Sequence, residues 1–225
     1  MKKDLALNGF IEHTLLRPEC RPADIETLCA EAAKYQFHAV CVMSAYVPDC
    51  VRHLTGTRVA VASVVGFPIG SVATTVKAFE AEKAFKLGAK EVDMVIPVGH
   101  LKAGLNNFVL EDIKAVVSTT PKDGLVKVII ETALLTEEEK HRACKIAEQA
   151  GAHFVKTCTG FFGGAASVSD VSLMRSSISP SMGVKASGGI RSAAQAIELI
   201  RAGATRLGTS AGVAIITNKT SVESY

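Results

Sequence analysis

Short runs rich in Val, Ile, Phe and Ala alternate eight times with segments of helical period along this 225-residue chain. That alternation implies parallel strands joined by crossover helices. The strand-like runs cover residues 10–16, 38–43, 59–67, 91–96, 125–131, 153–158, 183–186 and 205–208. Helical segments follow at 23–35, behind Pro22 in a favourable first-turn position, and then at 46–54, 74–87, 101–118, 136–150, 169–177 and 192–202. A short apolar turn at 212–217 closes the series. Thr136 and Glu139 form a capping box, and Gly88 and Gly151 stand where helices stop.

Eight units of about 28 residues each account for nearly the whole chain and predict an α/β fold, a single (β/α)8 TIM barrel over 1–225. A doubly wound open sheet would more often show five or six strands. No linker or low-complexity stretch divides the chain, and residues from about 218, ending in Tyr225, read as a flexible tail.

Several function classes fall away on composition. A formal charge of +3 with no basic block does not suit a nucleic-acid partner. The longest apolar stretch, 59–67, contains Ser63 and Gly66 and is far shorter than the roughly 20 residues that span a bilayer, so no membrane segment is expected. The N-terminal apolar run breaks after three positions, which gives no signal peptide. Six cysteines without a CxxC pair suggest reduced thiols in a cytoplasmic protein, with Cys41 and Cys158 as small core residues. The six histidines show no metal-ligand spacing, and neither a Gly-x-Ser-x-Gly elbow nor a phosphate-binding Walker loop is present. Neither a metal nor a cofactor is expected.

Barrels of this kind carry their chemistry where strands end and βα loops begin. Lys156 and Lys185 interrupt strand-like runs near those ends, on neighbouring strands six and seven. A second cation beside a desolvated lysine lowers its pKa; moving it from about 10.4 to about 7 takes roughly 4–5 kcal/mol. The product is a neutral amine able to form a Schiff base with a carbonyl compound. The alternative is that each lysine pairs with a carboxylate or reaches the surface. Lys127, near the start of its strand, reads as a structural residue toward the barrel floor. Asp93 shares a strand face with Glu91 and Val95 and either moves protons between the lysines and substrate or only neutralises them.

Gly188-Gly189 after strand seven and Gly208-Thr209-Ser210 after strand eight stand where barrels often build a phosphate site. Each is also an ordinary turn. Arg191 either adds charge there or makes a structural salt bridge.

Taken together, Ile11-Glu12-His13-Thr14-Leu15-Leu16, Glu91-Val92-Asp93-Met94-Val95-Ile96, Val128-Ile129-Ile130-Glu131-Thr132, Val155-Lys156-Thr157, Lys185-Ala186-Ser187-Gly188-Gly189-Ile190-Arg191 and Gly208-Thr209-Ser210 resemble the deoxyribose-phosphate aldolase family of class I aldolases, over almost the whole chain. The resemblance implies Lys156 as the Schiff-base nucleophile, Lys185 as the neighbour that lowers its pKa, Asp93 as the proton-transfer residue and Glu12 as a further catalytic-site acid. It implies Gly160, Gly188, Gly189, Gly208 and Ser210 as ligands of a substrate phosphate. The small-molecule partners it implies are a phosphorylated sugar and acetaldehyde, and a homodimer is compatible with it, although no sequence patch decides between monomer and dimer.

Departures from the family pattern are Glu12 for Asp, Pro97 for Asn, and Met43-Ser44 for Asn-Pro. Pro97 removes an amide and a backbone donor. These departures keep two alternatives open: a Schiff-base aldolase for another phosphorylated sugar, and a catalytically impaired sugar-phosphate-binding protein. Tyr225 could reach the site, or the tail could be disordered.

Overall fold

The computed structural model describes residues 6–218. The expectations for the tail from about 218 and for Tyr225 fall on residues outside that range, apart from Asn218.

Eight parallel strands close into a barrel in sequence order, with β1 hydrogen-bonded to both β2 and β8. In chain order the elements are β1 (Ile11–Leu15), α1 (Pro22–Tyr35), β2 (Ala39–Val42), α2 (Val47–His53), β3 (Ala60–Val65), α3 (Thr74–Lys86), β4 (Glu91–Val95), α4 (Val98–Lys102), α5 (Asn106–Val117), β5 (Leu125–Ile129), α6 (Glu137–Gln149), β6 (Phe154–Lys156), α7 (Val168–Ser177), β7 (Gly183–Ser187), α8 (Ala193–Arg201), β8 (Arg206–Thr209) and α9 (Gly212–Thr217). The (β/α)8 architecture read from the alternation is therefore the fold observed.

Most strand residues are buried because one face of each strand meets the helices and the other meets the barrel interior. The helix-facing set joins one large apolar cluster, including Val40, Val92, Val126, Val155, Val184 and Leu207. Each such side chain contributes roughly 1.5–3 kcal/mol on leaving water. The inward set is split. Leu16, Cys41, Ala62 and Val64 form a separate apolar cluster, with Met43 and Phe67 packed against it. The inward residues of β4 to β7 include Asp93, Lys127, Lys156 and Lys185.

Two differences from the sequence expectation bear on the fold and the site. The helix expected over 101–118 is two helices, α4 and α5, because Gly104 takes a left-handed backbone (φ 74°) and the Leu105 N–H turns back to the His100 carbonyl. β8 runs on to Thr209, so two residues of the Gly208-Thr209-Ser210 segment lie in the strand, Gly208 being register-paired with Glu12 and Ser187.

Candidate active site

Inside the barrel, side chains from five strands meet at Asp93. Its Oδ1 accepts a hydrogen bond from Lys127 Nζ at 3.0 Å, and its Oδ2 accepts from both Lys156 Nζ at 2.8 Å and Lys185 Nζ at 2.7 Å. Lys185 also donates to Glu12, and Lys127 also pairs with Glu91. Glu12 Oε2 stands 3.4 Å from Lys127 Nζ. The network reaches the flanks of the barrel through Arg206, 3.8 Å from Glu12, and His38, 3.3 Å from Glu91. Three carboxylates and three lysines are thus buried together, an arrangement tolerable only because each charge meets its opposite.

Strand register explains the meeting. Asp93 is paired with Lys127 across β4 and β5, and Lys156 with Lys185 across β6 and β7. Gly208 matters here because a Cβ on it would stand 2.9 Å from Lys185 Cε, so its bareness leaves room for that side chain.

Burial opposes every charge in the network, yet the partners prevail. For Asp93 burial pushes the carboxyl up, but Lys127, Lys156 and Lys185 together hold it well below the usual carboxylate range. Burial likewise works against the ammonium of Lys185, which Asp93 and Glu12 nonetheless hold above its ordinary value. Lys127 is raised in the same way by Asp93, Glu12 and Glu91. Cys41 faces this cluster as a neutral thiol, pushed up to about 11 chiefly by burial. A fixed carboxylate and a fixed ammonium therefore flank Lys156, which is 3 % exposed at the end of β6. An amine so placed can attack a carbonyl, with the carboxylate beside it to exchange protons.

The sequence reading put Lys127 apart from this chemistry, toward the barrel floor. The structure instead seats it on Asp93, since a lysine stem spans the distance from mid-strand to the centre of the barrel. Glu91 and Arg206 belong to the same network and had no assigned role. Glu91 could have been found from its position two residues before Asp93 on the same strand face.

Above the network, the loops after β6 and β7 are pressed together. Gly160, Gly188 and Gly189 all have positive φ (87°, 95° and 70°). A Cβ on Gly188 would stand 2.6 Å from Cys158 Sγ and 2.7 Å from the Gly164 carbonyl oxygen, so no larger residue fits there. The Ala166 N–H donates to the Gly188 carbonyl at 3.0 Å, and Thr209 Oγ1 at the end of β8 donates to the Ile190 carbonyl at 2.7 Å. Gly160, Gly188 and Gly189 thus share one end of the barrel. Ser210 lines a cavity of about 220 Å³ between the ends of β1 and β8 and helix α1, with His13, Thr14, Arg17 and Glu31. His13 Nε2 and Glu31 Oε2 are 2.8 Å apart on that wall. Arg191 is exposed. Among the described residues no group of three or more His, Cys, Asp or Glu is arranged to hold a metal ion, and no helix is long and apolar enough to cross a membrane.

A closed parallel barrel whose interior places two strand lysines on one carboxylate oxygen defines a protein built for lysine-based carbonyl chemistry. Residues 7–218 match the model of the DeoC/LacD family aldolases, and the chain belongs to that family. It is 55 % identical over 212 residues to the deoxyribose-phosphate aldolase of Bdellovibrio bacteriovorus, covering 94 % of this chain and 96 % of the relative. It is 50 % identical over 216 residues to the enzyme of the same name from Enterococcus faecalis, covering 96 % and 98 %. Among solved structures, a putative deoxyribose-phosphate aldolase from Coccidioides immitis superposes with a TM-score of 0.92 at 42 % identity, over 95 % of this chain and 85 % of that one. The tetrameric deoxyribose phosphate aldolase of Aeropyrum pernix gives 0.87 at 32 % identity, over 94 % and 90 %.

Proposed function

We propose that this chain, as one catalytic domain, is a class I aldolase that reversibly cleaves 2-deoxy-D-ribose 5-phosphate to D-glyceraldehyde 3-phosphate and acetaldehyde. The observation that carries the reading is the shared Asp93 oxygen, which sets Lys156 beside a lysine that stays charged.

In the cleavage direction the neutral Lys156 amine attacks C1 of the open-chain sugar, and loss of water from the carbinolamine gives a protonated imine. That iminium accepts the electron pair of the C2–C3 bond as it breaks, while the C3 hydroxyl loses its proton and becomes the aldehyde of glyceraldehyde 3-phosphate. The resulting enamine is protonated at its terminal carbon and hydrolysed to acetaldehyde, which frees Lys156. Lys185 acts as the fixed cation beside the nucleophile. Asp93 is the relay. Its Oδ2 is within hydrogen-bond distance of both lysines, which lets it exchange protons with them and with the bound intermediate. Glu12 keeps Lys185 in place and charged.

The glycines at 160, 188 and 189, with Ser210, are proposed to receive the substrate phosphate, supported by the positive φ of the three glycines and the contact between their loops. Gly208 serves by leaving Lys185 its path rather than by facing the anion directly. A cytoplasmic location is part of the proposal, supported by six unpaired, buried cysteines. So is self-association into a homodimer, supported by the tetrameric state of the Aeropyrum pernix relative; sedimentation equilibrium measures it.

The decisive experiment is borohydride reduction with acetaldehyde followed by peptide mass mapping. An ethyl adduct on Lys156 is expected. Labelling of Lys185 instead, or phosphate binding without any adduct, overturns the assignment and favours the impaired-binder alternative.

A further inference from the structure

Glu131 stands two residues past the end of β5 with a left-handed backbone (φ 58°, ψ 67°), a conformation that costs a non-glycine residue of order 1 kcal/mol or more. Its side chain is 1 % exposed. One carboxylate oxygen, Oε2, accepts from the Thr159 backbone N–H at 3.0 Å and from Thr159 Oγ1 at 2.6 Å. The other, Oε1, is buried and accepts no hydrogen bond among the described residues. Nothing in the apolar packing of the barrel asks for a buried carboxylate or a strained backbone at this point.

The surroundings say what the position does. The Ile130 N–H donates to the Lys156 carbonyl at 3.0 Å, and the Thr132 N–H donates to the Thr157 carbonyl at 2.9 Å. Glu131 therefore sits between two backbone rungs that hold the main chain of the nucleophile. Its side chain then reaches over to the turn that follows. Thr159 Oγ1, having donated to Glu131, accepts the Phe161 N–H at 3.1 Å, which closes the turn around Gly160. The unpaired Oε1 faces the same loop farther on, 3.5 Å from where a Cβ on Gly164 would lie. Gly164 is the residue whose carbonyl packs on Gly188.

We propose that Glu131 is a positioning residue that sets specificity for phosphorylated substrates, by fixing the Thr159–Phe161 turn so that Gly160 is aligned with the Gly188-Gly189 loop. It touches neither the imine nor the reacting carbons. The proposal rests on the aldolase reading and on the assignment of Gly160 to the phosphate, and it adds the residue that gives Gly160 its orientation.

The test compares 2-deoxyribose 5-phosphate with unphosphorylated 2-deoxyribose as substrates of the full chain. In Glu131→Ala the KM for the phosphorylated sugar should rise at least tenfold with kcat changed less than threefold, while kcat/KM for the unphosphorylated sugar stays within threefold. Thr159→Val, which removes the hydroxyl but leaves Glu131 in place, should give the same pattern more weakly and covers the case in which Glu131→Ala does not fold. Glu131→Gln retains an acceptor for both Thr159 donors and should restore most of the preference. If the variants lower kcat/KM equally for both sugars, or leave the phosphate preference intact, the positioning role is wrong. Acetaldehyde trapping on Lys156 is run alongside. Trapping that persists in a variant with lost phosphate preference supports the proposal, whereas absent trapping in the unmodified protein condemns the aldolase reading itself.

Discussion

Lys156 and Lys185 are register partners on adjacent strands, and both donate to the same oxygen of Asp93, at 2.8 and 2.7 Å. The two nitrogens differ in what else holds them. Lys185 has Glu12 as a second carboxylate, whereas Lys156 has Asp93 alone among the described residues. Asp93 and Glu12 together hold Lys185 charged, and Lys156 stands beside it at the end of β6.

Replacing Lys185 with leucine removes that fixed cation. Lys185→Leu should lose at least tenfold of its imine formation at neutral pH and recover part of it as the pH rises, because the fixed ammonium beside the nucleophile is gone. Borohydride trapping of acetaldehyde between pH 6 and pH 10 (about that range, bounded by the ordinary lysine value) measures this. Unchanged trapping at neutral pH would refute the role given to Lys185.

Gly208→Ala addresses the same ammonium through space alone. The added Cβ would lie 2.9 Å from Lys185 Cε and 3.0 Å from Ser187 Cβ, so the lysine must shift away from Asp93. The backbone of Gly208 is not left-handed and accepts alanine, and the expected loss of stability is about 1–3 kcal/mol. Activity should fall by more than tenfold in a folded protein, as steady-state cleavage and circular dichroism together would reveal. A variant with full activity would mean that Lys185 does not need its present path.

Shortening Glu12 separates stability from chemistry. Glu12→Asp draws the carboxylate back by one methylene, away from Lys127 at 3.4 Å and Arg206 at 3.8 Å. A destabilisation of about 1–2 kcal/mol, seen as a Tm lower by roughly 2–8 °C, is expected, with kcat retained within threefold. A large fall in kcat without a change in Tm would make Glu12 a participant in the reaction rather than the holder of Lys185.

The network also predicts how stability follows pH. Asp93 and Glu91 have carboxyl groups held below their ordinary values, so their contribution is complete above the unfolded carboxylate range, near pH 4, and is lost as pH falls from there through the folded values. Lys127 and Lys185 are raised, so their contribution is complete below the ordinary lysine value, about 10.4, and is lost as pH climbs through the folded values. Urea midpoints should be level from about pH 5 to about pH 9 and decline on both sides. Asp93→Asn should be less stable at pH 7 and show a smaller drop between pH 7 and pH 3. Equal drops in the two proteins would contradict the linkage.

What the sequence made legible followed from contrast. Eight apolar runs separated by helical segments could close only a few ways, and a lysine or aspartate inside such a run, as at Asp93, Lys156 and Lys185, stands out against its neighbours. Lys127 stands out equally, but the distance that its side chain spans is set by the tilt and closure of the barrel, which no local pattern records. Glu131 was invisible for a different reason. It follows Ile130 as the apparent last residue of a strand, and the left-handed turn of its backbone comes from the contacts of Thr159 and the rungs to β6, not from its residue type. The break between α4 and α5 was marked by Gly104, whose weight against the surrounding helical period appears only once Leu105 folds back to His100.

The buried charges are divided unevenly along the chain. The carboxylates of the network, Glu12, Glu91 and Asp93, all come from β1 to β4, and the lysines, Lys127, Lys156 and Lys185, all come from β5 to β7. Cut between β4 and β5, the network would leave only carboxylates in the interior of one half and only lysines in the interior of the other. Two copies of either would face like charge across a dry interior, which favours pairing of unlike halves. Chains split between β4 and β5 should consequently reassemble as unlike pairs.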